Sequence, residues 1–207
     1  MCEYCLSHGL QCLRGPPEGG YYANRQARLH ESIATQQALS LQAKTLPNQG
    51  HEDLPPAALR RALVELYFDY IHDQFHSMYH KASFMDDVTN DRVPHIVLYA
   101  IFALAARFST DEFFDGTDPR ERGEVYRTSS EKLFSIRELT PVTVQVCVLL
   151  GAYAAASGET DVENLYYSMG GRLALALDLP NRPVTSLVER EVNIRTWWTL
   201  CMVDVWS

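Results

Sequence analysis

The sequence predicts an all-α fold: an irregular helical bundle of about six helices, preceded by a cysteine-bearing N-terminal segment and a flexible linker. Three observations predict it. From residue 56 onward, apolar residues recur at helical intervals of three, four and seven. The stretches between these runs carry the Gly, Pro, Asp and Thr that start and stop helices. No segment shows convincing strand alternation. Val142, Val144, Val146 and Val148 alternate, but the run continues through Leu149 to Ala156, too long for an ordinary strand.

Taken in order, residues 1–15 hold Cys2, Cys5 and Cys12. Residues 16–55 read as a linker, partly helical. It opens with Gly and Pro, shows no steady apolar stripe over 24–45, and closes on NQGHEDLPP. The body, 56–207, begins at a proline pair, where helix-opening prolines are tolerated. Its first helix carries Leu59, Leu63, Leu66, Tyr67, Tyr70, Ile71, Phe75 and Met78 and is predicted to run to near His80. Further helices are predicted over 94–108, 119–137, 141–157, 161–179 and 187–206. Asp118-Pro119 and Thr140-Pro141 are N-cap and first-turn signatures. Gly170-Gly171, inside a helical pattern, suits close helix approach. In the last helix, Ile194, Trp198, Cys201 and Val205 share one face, expected to be buried, and Glu191 can pair with Arg195 one turn on. Cys147 and Cys201 sit on apolar faces and are expected in the core. That last helix has no stop signal, and so apolar a helix needs more protein to pack on; the chain reads as a piece of a longer one, cut at both ends.

Composition narrows the function classes. The chain has 207 residues, 46% hydrophobic and 21% charged, with a net charge of -8. Residues 1–50 hold 4 basic and 3 acidic side chains, which leaves 14 basic against 23 acidic for the rest. An acidic body argues against binding nucleic acid through its own surface. The longest apolar stretch, 144–156, has 13 residues and contains Gln145, short of the roughly 20 needed to span a bilayer. No membrane association is expected. The N-terminus lacks the pattern of a secretory signal, so clustered cysteines point to metal or redox chemistry rather than disulfides.

Several patterns invite chemistry. His72, His76 and His80 repeat every four residues and would share one helix face, a geometry compatible with metal; the stripe reads better as a polar helix edge. Asp86, Asp87 and Asp91 in FMDDVTND are similar to an aspartate-rich magnesium motif, but the spacing is off by one and no second motif follows. They read as a solvated turn. No nucleophile turn or phosphate-binding glycine loop is present, and no enzyme activity is expected. TWW, residues 196–198, could stack on nucleic acid, but core packing is the better reading.

The spacing C-x-x-C followed by C six residues on, with no Lys or Arg in LSHGLQ, resembles the second half of the six-cysteine zinc cluster of fungal transcription regulators. YFDYIHDQFHSMYHKASF (67–84), VLYAIFALAARFS (97–109), ENLYYSMGGRLALALDLPNRP (163–183) and EREVNIRTWWTLCMVDVW (189–206) resemble successive stretches of the fungal-specific regulatory middle domain that accompanies such clusters. The resemblance implies a sequence-specific regulator of RNA polymerase II transcription, placed in the nucleus. It implies two zinc ions in the intact cluster, with Cys2, Cys5 and Cys12 as ligands here and the basic, DNA-touching half missing. Three thiolates do not close a tetrahedral zinc site. His8 could be a fourth ligand but reads better as a loop residue. The implied partners are DNA for the intact protein, a second copy of the chain, and a small-molecule effector held by the helical body. DNA binding by this chain alone is expected to be weak or absent. The alternative is a stand-alone α-helical interaction module, or a truncated regulator with no DNA binding of its own.

Overall fold

A computed structural model describes residues 54–74 and 76–206. Cys2, Cys5, Cys12 and His8 lie outside the described residues, as does all but the end of the 16–55 linker. Seven α-helices and no strand occur among the described residues: α1 (Ala57–Tyr70), α2 (Lys81–Thr89), α3 (His95–Ala105), α4 (Glu124–Leu133), α5 (Pro141–Ser157), α6 (Thr160–Ala176) and α7 (Leu187–Trp206). The all-α expectation holds. No helix among the described residues is long and apolar enough to cross a membrane.

Two helices form the centre. In α3, every residue from Val97 to Ala105 is buried. In α5, every residue from Thr143 to Ala154 is buried. Helices apolar on all sides belong inside a bundle. The other helices surround them: α1, α4 and α5 pack on α3, and α6 and α7 pack on α5. Thr140 caps α5 as expected, its Oγ1 accepting from the Thr143 N–H at 3.2 Å. The same helix ends at Gly158, whose φ of 77° is the left-handed conformation that glycine adopts without strain. Gly170 permits the close approach expected of it. A Cβ there would lie 3.0 Å from the Cys147 Cβ and 3.2 Å from a Leu200 methyl, so α5, α6 and α7 converge on this point.

The structure corrects four expectations. The first helix stops at Tyr70, not near His80. The chain then turns sharply: Asp73 has φ 66°, its N–H donates to the His76 carbonyl at 2.8 Å, and a new helix, α2, starts at Lys81. Aspartate tolerates that left-handed conformation better than most side chains. Second, α4 begins at Glu124, not at Pro119. Residues 119–123 form turns instead, and Gly123 sits so close to α3 that an added Cβ would collide with the Ala103 carbonyl. Third, Trp198 is 61% exposed. Fourth, Cys201 is only half-buried, although Cys147 is fully buried as expected.

Candidate functional site

The connection between α1 and α2 brings two histidines into the interior. His72 and His76 are both buried, each 5% exposed, and Tyr67 beside them is fully buried. The imidazole of His72 is held at both nitrogens. Nε2 accepts the Tyr79 backbone N–H at 3.1 Å, and Nδ1–H donates to the Asp73 carboxylate at 3.1 Å. The Tyr67 hydroxyl lies 2.7 Å from His76 Nε2. With Tyr67 as donor, only His76 Nδ1–H stays without a partner; the reverse assignment would also orphan the phenolic hydrogen, so the first is favoured. His80 stands apart as the N-cap of α2, its Nδ1 accepting from the Ser83 N–H at 3.4 Å. The three histidines therefore do not share a helix face, and among the described residues no three His, Cys, Asp or Glu side chains converge as metal ligands.

Burial governs the electrostatics. It lowers the His76 pKa from 6.5 to about 3, with the neighbouring His72 adding to the effect. His72 is lowered as well, chiefly by burial and against the pull of Asp73. Asp73 is lowered, first by its hydrogen bond from Ser77 and then by His72 and Arg195. An imidazole neutral down to about pH 3 is a poor general base near neutrality. The cluster is built to hold the turn rather than to move protons.

The last helix closes on this turn. Arg195 donates to the Ser77 hydroxyl at 3.2 Å and to Glu191 at 2.7 Å, the pairing expected from their spacing. A chain of polar contacts thus runs from Glu191 through Arg195, Ser77 and Asp73 to His72. It joins the HDQFHSMYH and RTWW stretches, which lie 118 residues apart at the Arg195–Ser77 contact. Sequence reading singled out the histidines and Arg195 but missed the roles of Asp73 and Ser77. Contacts at that separation leave no periodic signal.

Beside this junction lies a groove of about 620 Å³. Its polar lining comes from Asp73, Gln74, His76, Ser77, Glu163, Arg195 and Thr199, and its apolar lining includes Ala152, Tyr167, Trp198 and Met202. Gly151 makes room for the Tyr167 ring, which would stand 2.8 Å from a Cβ at that position.

The other charged clusters are neutralised locally. Asp86 and Asp87 both pair with Arg92, and Asp91 pairs with Arg60 at 2.9 Å. The aspartate run is thus consumed by arginine, as suits a solvated turn. Arg61 pairs with Glu65 and Arg127 with Glu124 and Glu131. Arginines so engaged are poorly placed to grip phosphates.

The fungal specific transcription factor domain matches residues 64–207, and the chain belongs to that family. It is 31% identical over 178 residues to an uncharacterized transcriptional regulatory protein of Schizosaccharomyces pombe, covering 77% of this chain and 18% of that protein. It is 26% identical over 177 residues to the Zn(2)-C6 fungal-type transcription factor FTF1a of Fusarium oxysporum f. sp. lycopersici, covering 77% and 16%. The figures for FTF2 of the same fungus are 26% over 180 residues, 77% and 16%. The chain spans less than a fifth of the length of these curated relatives. No solved structure matches it.

Proposed function

We propose that this chain is the regulatory segment of a fungal sequence-specific transcription regulator acting in the nucleus, and that it has no catalytic activity. The observation that carries the reading is the family match across 64–207, the region that builds the helical body. In the intact protein, DNA contact falls to a zinc cluster of the Zn(2)-C6 kind, a term that the Fusarium relatives carry in their names. Cys2, Cys5 and Cys12 supply thiolates, the soft donors that zinc favours, but three of them are one short of a closed tetrahedral site. The body contributes regulation: it senses a small-molecule effector and takes part in pairing with a second copy of the chain. Paired arginines and an acidic balance in residues 51–207 support keeping DNA off this body.

The test combines metal analysis with DNA titration. The 207-residue chain, purified without chelator, is expected to hold less than two zinc ions and to bind duplex DNA carrying paired CGG triplets weakly, at low and at physiological salt. Restoring an upstream half-cluster with three cysteines and a basic helix is expected to restore both. Tight, sequence-selective binding by the chain alone would overturn the reading.

A further inference from the structure

One exposed stripe of α6 is complementary to itself. Asp161, Leu165, Ser168 and Arg172 are spaced four, three and four residues apart, so they line up on one face of the helix, and all four are exposed. We propose that two copies of the chain pair through this stripe, α6 against an antiparallel α6; this rests on the pairing read above and gives it a surface.

The order of the residues is what fits a second copy. A two-fold axis midway between Leu165 and Ser168 lays the stripe antiparallel on itself. Asp161 of one copy then faces Arg172 of the other, and Leu165 faces Ser168. Each contact occurs twice, as an isologous interface requires. The two charges are free for this use: among the described residues neither Asp161 nor Arg172 has an ion-pair partner. Arg60, Arg61, Arg92, Arg127 and Arg195, by contrast, are all paired within the chain. Opposite charges at both ends of the stripe fix the antiparallel register, since a parallel pair would set like against like.

The apolar part of the stripe agrees. Leu165 is 63% exposed, and Leu175, three residues beyond Arg172, is 59% exposed. Contiguous apolar surface of this kind marks interaction sites. Ser168, the residue that faces Leu165 in the pair, lines a groove of about 430 Å³ between α6 and α7, together with Gly171, Leu175, Trp197 and Leu200. A Cβ at Gly171 would meet nothing within 4 Å, so the groove is open beside Ser168. The two-fold that pairs the charges therefore also brings each exposed leucine to an open recess on the other copy.

The test is a charge swap read by sedimentation equilibrium. The full 207-residue chain is expected to show a reversible monomer–dimer equilibrium. Asp161→Arg alone and Arg172→Asp alone set like charges against each other at both ends of the pair, and each is expected to weaken dimerisation about tenfold or more. The double variant Asp161→Arg/Arg172→Asp restores opposite charges at unaltered net charge and is expected to dimerise within about threefold of the parent chain. Mixed in equal amounts, the two single variants are expected to pair with each other. Leu165→Glu alters an exposed position and is expected to weaken dimerisation about tenfold or more. Circular dichroism checks that every variant folds. A monomer at all concentrations would overturn the proposal and the pairing it rests on. A dimer indifferent to all three single variants, or a folded double variant as weak as the singles, would overturn the α6 assignment and leave pairing through another surface standing.

Discussion

Helices α5 and α7 are both long and rich in apolar residues, yet they meet the rest of the molecule in opposite ways. α5 buries Val144, Val146, Cys147, Val148, Leu149 and Leu150 and is enclosed by α3, α6 and α7. α7 turns Asn193, Thr196 and Thr199 inward with Leu200, while Trp198, Met202 and Leu187 face out at 61, 60 and 82% exposure. Apolar content fixes the fate of a helix when neighbours cover every side of it. α7 rests on α5, α6 and the turn at Leu179–Asn181 through Leu200 and the partly buried Val192 and Trp197, its Thr196 and Thr199 hydroxyls bond back to carbonyls of their own helix, and Arg195 reaches Ser77 of the α1–α2 turn from the exposed side. Asn193 shows the cost of such docking, since neither polar atom of its buried amide has a hydrogen-bond partner among the described residues.

The contrast can be broken or sharpened by experiment. The largest effect is expected in α5. Leu149 is 0% exposed, and Leu149→Ala should cost about 2–5 kcal/mol in a urea titration. The α1–α2 turn should reveal itself through pH. In the fold His76 stays neutral down to about pH 3, whereas an unfolded imidazole takes a proton near 6.5. Between those values the unfolded chain binds more protons, so stability is full above the unfolded pKa and falls as pH drops. From pH 7 to 5, His76 alone accounts for a loss of about 2 kcal/mol. His72 is shifted the same way and adds to the loss. His76→Gln, which can still accept from Tyr67, should flatten the pH profile; an unchanged slope would mean that His76 is not the buried neutral group described. A smaller effect is expected where α7 touches the turn. Arg195 is partly exposed, and Arg195→Gln should cost only about 0.2–1 kcal/mol.

The sequence made the central helices and several of their ends legible. The long apolar run from Val144 and the Thr140-Pro141 start correctly gave α5; of the glycine pair in α6, Gly170 marks close packing, whereas a Cβ at Gly171 would meet nothing within 4 Å. The break after Tyr70 was hidden, because apolar spacing continues through Ile71 and Met78. Those side chains are indeed buried, but from a turn stabilised by Asp73 at positive φ rather than from a helix. Of the candidate site, the histidines were visible and their geometry was not. Four-residue spacing implies one face only if the helix continues, and the left-handed residue stops it. Asp73 and Ser77 gained their roles from Arg195, far along the chain, which no local pattern reports. The tryptophan pair divides in a way that an apolar-face argument misassigns: Trp197 packs partly against the core, and Trp198 does not.

That division offers the most direct test. α7 turns Asn193, Thr196, Thr199 and Leu200 inward and leaves Trp198 to solvent beside the groove. Unfolding free energies of the unaltered chain and Trp198→Ala, measured in the absence of ligand, should agree within about 0.5 kcal/mol, as for a surface substitution. A loss of about 3–5 kcal/mol, the penalty for truncating a buried aromatic, would contradict it and show Trp198 to be packed inside.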